Sequence, residues 1–148
     1  MHLFAMVKHP SILLIEDSPG ERELFHLALV QTGLVVTLYA EQDAEAAFQF
    51  LNNHSDIPSL ILLDWHQGKH RGDEFLKRLR TDSRLVAIPV VVFTTSDDAF
   101  DLSLAYANGA NGYVVKPGTF AELVQCTTDI CRYWLNRNRV PHMVGTPC

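Results

Sequence analysis

The sequence predicts a doubly wound α/β fold, in which five parallel strands alternate with five helices. Short and nearly continuous aliphatic runs recur along the chain, as is typical of parallel strands covered on both faces. Segments with helical spacing of apolar residues separate these runs. The chain has 148 residues, which suits one domain of ordinary size. Successive βα units of this kind build a single parallel sheet with right-handed crossovers.

The strand predictions rest on aliphatic content. The first run reads Ser-Ile-Leu-Leu-Ile, the third Ser-Leu-Ile-Leu-Leu and the fourth Pro-Val-Val-Val-Phe-Thr, without polar alternation. At this size we expect the flavodoxin-like strand order 2-1-3-4-5, with helices on both faces of the sheet. In chain order, the predicted strands are residues 11–15, 35–40, 59–63, 89–94 and 112–115.

The helix predictions rest on start and stop signals as well as on apolar spacing. Ser18 is placed to cap the first helix, Pro19 suits its first position, and Glu21 completes a Ser-x-x-Glu capping box. Gly33 and Gly109 follow the first and fourth helices, where a left-handed residue is expected. The predicted helices are residues 19–32, 43–53, 72–82, 97–108 and 119–137.

Composition excludes several classes of protein. Hydrophobic residues make up 47% and charged residues 20%, which is typical of a globular domain. The net charge of −5 gives no basic surface for nucleic acid, and no apolar run approaches the ~18–20 residues of a membrane span. The three cysteines have no framework spacing, which favours reduced thiols in a cytoplasmic protein. We expect an N-terminal extension (1–10), one domain (11–137) and a C-terminal tail (138–148).

Charged and hydroxyl side chains follow four of the predicted strands. Glu16 and Asp17 follow the first strand, Asp64 the third, Thr94 ends the fourth, and Lys116 follows the fifth. The carboxyl ends of parallel strands meet at one edge, so these groups should share a site. Three carboxylates together repel one another unless a cation lies between them, and Mg²⁺ prefers such oxygen ligands. An aspartate beside Mg²⁺ and a lysine suits nucleophilic attack on a phosphoryl group.

Glu16-Asp17, Asp64, Thr94 and Lys116-Pro117, in this order and at these strand ends, resemble the signature of response-regulator receiver domains of two-component signalling. The resemblance covers about residues 11–135. It implies that Asp64 accepts a phosphoryl group from a sensor histidine kinase or a phosphotransfer protein. It also implies that Asp17, Asp64 and the main-chain carbonyl of His66 bind Mg²⁺, and that Glu16 binds it directly or through water.

The same resemblance assigns roles to the residues that follow the fourth and fifth strands. Lys116 would pair with the phosphoryl group, and Thr94 would move toward it after phosphorylation. Tyr113 matches the aromatic switch position, whose ring turns inward as the threonine moves. The Lys116-Pro117 peptide bond would be cis. The stretches 94–96 (Thr-Thr-Ser) and 133–135 (Tyr-Trp-Leu) are similar to those of small receivers that serve phytochrome-type kinases.

The loop after Asp64 departs from the family pattern. Gln67 and Gly68 stand where many receivers have a hydrophobic residue and a proline, and Lys69 and Arg71 make the loop basic. We expect a looser loop, with Gly72 permitting its turn. Trp65 is expected at the rim of the site. The spacing of His66 and His70 resembles a helical zinc pair, but in a loop without further ligands nearby it does not predict a metal site at the imidazoles.

The sequence offers no output domain, so we expect signalling by protein–protein contact. The expected surface is the face formed by helix 4, strand 5 and helix 5, which lies next to Thr94 and Tyr113. Exposed apolar residues on the last helix would also support a homodimer. The receiver would not be an enzyme beyond its own phosphotransfer and dephosphorylation.

Three other interpretations compete with a phosphorylated receiver. A pseudo-receiver would have the same fold and act as a binding or scaffold module without phosphorylation; the altered loop keeps this alternative open, although the intact pocket opposes it. A phosphatase with an aspartyl nucleophile would need an aspartate at the position of His66. A flavin-binding flavodoxin would need a phosphate loop after the first strand, where Glu16 and Asp17 would repel a phosphate.

Overall fold

The central element is a five-stranded parallel sheet, seen in a computed structural model that describes residues 9–67 and 70–141. Counted in chain order, its strands lie side by side as 2-1-3-4-5, and every neighbouring pair is parallel, as predicted. The second strand begins two residues later than expected. The strands are β1 (Ser11–Ile15), β2 (Thr37–Glu41), β3 (Leu60–Leu63), β4 (Val90–Thr94) and β5 (Gly112–Val115).

Five α-helices connect and cover the strands within the described residues. They are α1 (Pro19–Gln31), α2 (Ala44–Asn53), α3 (Asp73–Arg80), α4 (Ala99–Ala107) and α5 (Phe120–Arg132). The predicted fifth helix is an α-helix only as far as Arg132, and the residues up to Arg137 are π-helical. A π-helical turn follows α5 over Tyr133–Arg137, and the Asn138 N–H donates across it to the Tyr133 carbonyl at 2.7 Å.

The helix ends largely follow their sequence signals. Ser18 Oγ accepts the Glu21 N–H at 3.2 Å, and Gly33 and Gly109 have φ of 74° and 104° at the ends of α1 and α4. The reciprocal half of the predicted capping box is wrong. The Ser18 N–H donates instead to Glu16 Oε2 at 3.2 Å, and Glu21 Oε2 lies 3.7 Å from the Lys116 ammonium.

Apolar side chains pack on both faces of the sheet, which explains why the strands lack polar alternation. One core lies under α2, α3 and α4, and the other under α1 and α5. Trp65 belongs to the first core and is 0% exposed, so its predicted place at the rim of the site is wrong. Its large apolar ring favours burial against α3 over contact with the acidic pocket.

The loop after β3 forms an unpredicted hairpin. His66–Gln67 pairs with His70–Arg71 in antiparallel register, and the Gly72 N–H donates to the Trp65 carbonyl at 2.9 Å. Gly72 has φ of −71°, so it is required by close packing and not by the turn. A Cβ there would lie 2.8 Å from Trp65 Cε3. Gly68 and Lys69, and the side chains of Gln67 and Arg71, lie outside the described part of the structure, so the predicted looseness and basic character of the loop stay predictions.

No helix within residues 9–67 and 70–141 is both long and apolar enough to cross a membrane.

Candidate functional site

The carboxyl ends of β1 and β3 bring three carboxylates together, as the strand order predicts. A carboxylate oxygen from each of Glu16, Asp17 and Asp64 lies within 4.8 Å of the other two. Glu16 is buried, Asp64 is half-buried and Asp17 is exposed. The cluster therefore runs from the protein interior to the solvent, with Asp17 at its outer end.

Glu16 is held by contacts at both of its carboxylate oxygens and at its main chain. Lys116 Nζ donates to Oε1 at 2.5 Å, and the Ser18 N–H donates to Oε2. Arg22 Nη1, from the first turns of α1, donates to the Glu16 carbonyl at 2.6 Å. Sequence patterns did not single out Arg22, and an arginine one turn into a helix carries no signal of this role. These contacts fix the inner carboxylate of the cluster.

Lys116 is the cation nearest this cluster among the described residues. Its side chain is 11% exposed and its ammonium lies 3.7 Å from Glu21 Oε2. Burial alone would lower the pKa of Lys116, but the hydrogen bond to Glu16 and the charges of Asp64, Glu16 and Glu21 raise it above its ordinary value. Lys116 therefore carries a positive charge throughout the physiological range.

The predicted cis bond between Lys116 and Pro117 is wrong, because the described residues contain no cis peptide bond. The Lys116 N–H donates to the Thr94 carbonyl at 2.7 Å and continues the pairing of β5 with β4. Lys116 thus lies at the site with a trans peptide bond to Pro117, and the trans form is the lower in energy for an X–Pro bond.

Asp64 has the most perturbed carboxyl group of the cluster. Its pKa rises from the ordinary 3.8 to about 6. Burial is the largest cause; Lys116 opposes it, Glu16 adds to it, and a hydrogen bond from the His66 main chain lowers the pKa. A cation placed among the three carboxylates would remove the repulsion from Glu16 and favour the ionised form of Asp64.

Thr94 and Tyr113 lie beside the cluster on β4 and β5, where the sequence places them. Thr94 is 1% exposed, and its Oγ1 accepts the Ser96 N–H at 3.3 Å. Tyr113 is half-buried against the first core, and its hydroxyl donates to the Ser96 carbonyl at 2.9 Å. Both side chains thus contact one residue, Ser96, in the connection between β4 and α4.

The imidazole of His66 contacts a residue that sequence analysis missed. His66 Nε2 lies 2.8 Å from Asp101 Oδ2, and Ser96 Oγ donates to the same oxygen at 2.7 Å. Asp101 is 5% exposed, on the inward face of α4 with Ala105. The sequence did carry a signal, because Asp101 stands four residues before Ala105 in an otherwise apolar helix and therefore on the same face. A carboxylate buried on that face requires hydrogen-bond donors from elsewhere in the chain.

The donor set suits a small hard cation. The three side chains supply only carboxylate oxygens, and Mg²⁺ is bound in proteins by one or two carboxylates together with water and phosphate oxygens. A structural zinc site would instead need sulfur or imidazole nitrogen ligands, and the His66 imidazole is engaged by Asp101. The residues present therefore fit magnesium.

Comparison with known proteins identifies the family. The family model described as the response regulator receiver domain matches residues 12–128. The probable methanogenesis regulatory protein FilR2 of Methanothrix harundinacea is 37% identical over 134 residues, covering 88% of this chain and 86% of that protein. Response regulator Rcp1 of Synechocystis is 32% identical over 135 residues, covering 88% of this chain and 92% of that protein.

Solved structures agree with this assignment. The phosphorylated cyanobacterial phytochrome response regulator RcpA has a TM-score of 0.82 at 29% identity, covering 91% of this chain and 100% of that one. The Mn²⁺-bound form of Rcp1 has a TM-score of 0.77 at 32% identity, covering 90% and 99%. The predicted similarity to phytochrome-associated regulators is confirmed. Because the matched residues include every strand end that forms the acidic pocket, the chain belongs to the family of response regulator receiver domains.

Proposed function

We propose that Asp64 is a phosphoacceptor that receives its phosphoryl group from a sensor histidine kinase or a phosphotransfer protein. The observation that carries this proposal is the meeting of Glu16, Asp17 and Asp64 within 4.8 Å, with the Lys116 ammonium bound to Glu16 at the inner end. An Asp64 oxygen attacks phosphorus, the bond from phosphorus to the donor imidazole nitrogen breaks, and that nitrogen keeps the electron pair. The product is an aspartyl phosphate.

Glu16, Asp17 and Asp64, with the His66 main-chain carbonyl, would hold Mg²⁺ in this site. When bound, the ion supplies positive charge to the phosphoryl oxygens. The relative Rcp1 has been solved in a Mn²⁺-bound form, which supports a divalent ion here. Lys116 would neutralise a further phosphoryl oxygen, since its raised pKa keeps it charged. Thr94 would donate its hydroxyl proton to the phosphoryl group and give up its present contact with Ser96.

The proposed output is protein–protein contact through the α4–β5–α5 face. Apolar side chains are exposed on each of its elements, including Tyr106 at 49%, Val115 at 40% and Phe120 at 43%. Tyr113 connects this face to the site, because its hydroxyl is bonded to the segment that also bonds Thr94. Movement of Thr94 would therefore change the contact that holds the Tyr113 ring, and Tyr113 would act as the switch.

Further properties follow from the same proposal. The protein would act in the cytoplasm, where its kinase or phosphotransfer partner presents the donor histidine, and it would not bind nucleic acid directly or insert into a membrane. Exposed Phe120 and Tyr133 near the end of the chain favour a homodimer. Its covalent chemistry would be limited to its own phosphorylation and dephosphorylation. No observation favours a non-phosphorylated pseudo-receiver.

Intact-mass measurement after incubation with a small acyl phosphate and Mg²⁺ tests the proposal. We expect one phosphoryl adduct on the wild-type protein, no adduct when Mg²⁺ is chelated, and none on Asp64→Asn. Asp97→Asn, which removes an exposed carboxylate outside the cluster, serves as the matched control and should be labelled normally. If a reference receiver is labelled but this chain is not, even with a panel of phosphorylated donor proteins, the phosphoacceptor proposal is wrong.

A further inference from the structure

A buried carboxylate on α4 contacts the loop that carries the phosphoacceptor. Asp101 is 5% exposed, yet it lies on an apolar helix, where Ala105 and Leu104 pack against the core. A carboxylate in such a place requires hydrogen bonds to offset its loss of solvation. It receives them from His66 in the acceptor loop and from Ser96 after β4, both at Oδ2.

The contact bridges parts of the chain that the sheet alone does not connect. His66 is 35 residues from Asp101 in sequence, and its side chain is 52% exposed, so the sheet and core do not hold the imidazole in place. Burial alone would raise the pKa of Asp101, but the hydrogen bonds from Ser96 and His66 lower it below its ordinary value. Asp101 therefore presents a charged acceptor to the loop, and a charge-assisted hydrogen bond is among the stronger kinds.

His66 is also the residue whose main-chain carbonyl is a proposed Mg²⁺ ligand. The main chain beside it is fixed by the Trp65 carbonyl, which accepts the Gly72 N–H, and by the pairing of His66 with Arg71. The Asp101 contact fixes the side chain of the same residue. Main chain and side chain of His66 are thus held from two directions, which limits rotation of its peptide groups. Groups that orient a metal ligand affect affinity without touching the metal.

We propose that Asp101 is a positioning residue that, through the His66 imidazole, orients the Mg²⁺-binding carbonyl of the phosphoacceptor loop and so couples α4 to metal binding. This inference rests on the proposed function of the acidic pocket. Ser96 belongs to the same hydrogen-bond network, because its hydroxyl donates to Asp101 and its carbonyl accepts from the Tyr113 hydroxyl. The loop, α4 and the aromatic residue on β5 are thereby joined through one carboxylate.

Calorimetric titration with Mg²⁺ of the full chain tests this inference, using Asp101→Asn, His66→Ala and the double variant. Each single variant should weaken Mg²⁺ binding about 10-fold, the lower end of the range for outer partners of metal ligands. The double variant should lose no more than either single one, because both remove the same contact. His66→Ala removes no negative charge, so its loss cannot be electrostatic, and Asp97→Asn, which removes a nearby carboxylate, should stay within about twofold.

A second readout separates positioning from damage to the fold. At saturating Mg²⁺, the rate of phosphorylation by a small acyl phosphate should return to near the wild-type value in both single variants, since only the affinity for the ion is impaired. A rate that stays low at saturation, or losses of affinity that multiply to about 100-fold in the double variant, would overturn the inference. If Asp101→Asn does not fold, the exposed His66→Ala variant decides the question alone. A wild-type protein that binds no Mg²⁺ refutes the proposed function and this inference with it.

Discussion

At the scale of single residues, the ion pair of Lys116 with Glu16 is the dominant feature of the site. Lys116 is 11% and Glu16 is 3% exposed at the side chain, and their charged atoms are 2.5 Å apart. A buried pair of this kind adds little net stability compared with apolar residues, but removal of one partner leaves a buried charge unpaired. Its main consequence is that the ammonium of Lys116 offsets part of the repulsion between Glu16 and Asp64.

Lys116→Met should therefore destabilise the metal-free protein by about 3 kcal/mol at pH 7, measured by urea unfolding. Adding Glu16→Gln to this variant should recover much of the loss, because the unpaired charge is gone. Lys77→Met, at an exposed position on α3, is the control and should change the free energy of unfolding by less than about 0.5 kcal/mol. A loss in Lys116→Met no larger than in this control would show that Glu16 does not depend on the pair.

The pKa of Asp64 gives a prediction with a defined sign. The folded pKa of about 6 exceeds the ordinary 3.8, so between these values the folded protein binds more protons than the unfolded chain. The resulting stability is fully present below about pH 3.8 and is lost as the pH rises through 6. Ionised Asp64 thus costs stability above pH 6, by about 1–3 kcal/mol in this half-buried position.

The side chain in Asp64→Asn is neutral at every pH, so this variant should not lose stability by ionisation at position 64. In the presence of a chelator, its free energy of unfolding should exceed that of the wild type by about 1–3 kcal/mol at pH 8, and the difference should shrink toward pH 4. Urea unfolding at several pH values measures this. A difference that does not change with pH, or that grows as the pH falls, would contradict the raised pKa. Mg²⁺ should narrow the gap at pH 8 by stabilising only the wild type.

The residues whose position follows directly from strand ends could be predicted from the sequence, and those defined by tertiary contacts could not. Glu16, Asp17, Asp64 and Lys116 meet because parallel strands end at one edge. Asp101 and Arg22 lie on helices, and their partners come from distant parts of the chain. Trp65 was misplaced for the same reason, since only the path of the loop decides whether its ring faces α3 or the solvent.

At the scale of elements, Arg80 joins the end of α3 to two separate connections. Its guanidinium donates to the carbonyls of Val86 and Ile88 before β4, both at 2.9 Å, and to the carbonyl of Gly109 and the side chain of Asn111 before β5, both at 2.7 Å. The planar fork of arginine satisfies several acceptors at once. This one side chain thus fixes the amino-terminal edge of the sheet, opposite the acidic pocket.

Arg80→Ala should cost about 3 kcal/mol of stability, because several partly buried carbonyls lose their donor. Arg80→Lys should recover less than half of that, since an ammonium cannot reproduce the fork. The comparison variant is Arg78→Ala on the same helix, whose guanidinium lies 3.5 Å from Glu45 and 3.9 Å above the Phe48 ring, partly exposed contacts worth about 1 kcal/mol or less each. Thermal or urea unfolding measures all three. Equal losses in Arg80→Ala and Arg78→Ala would show that the carbonyls are satisfied by water.

Long elements with clear periodicity were predictable, and short or irregular ones were not. β1 and β5 have the predicted bounds, and the five helices lie where apolar spacing and caps place them. The His66–Gln67 hairpin has strands of two residues, which are too short to show any period. The π-helical turn after α5 could not be predicted either, because a change from i→i+4 to i→i+5 hydrogen bonds leaves the amino-acid composition of a helix unchanged.

At the scale of the whole molecule, the order of the strands brings together the functional groups of four separate strand ends. β1 and β3 are neighbours in the centre of the sheet, and β4 and β5 follow on one side. The acidic cluster therefore lies over the centre, while Thr94, Ser96 and Tyr113 extend from it toward the α4–β5–α5 face. The right-handed crossover rule and the buried character of the strands made this arrangement predictable.

We expect phosphorylation on Asp64 and on no other residue. The most direct test is to phosphorylate the wild-type chain with a small acyl phosphate and Mg²⁺, reduce the acyl phosphate with borohydride, and sequence the proteolytic peptides by mass spectrometry. Reduction converts a phosphorylated aspartate into homoserine. We predict homoserine at position 64 alone, and none when Mg²⁺ is withheld. Homoserine at position 17, or unmodified Asp64 in protein that carries a phosphoryl adduct, would contradict the account.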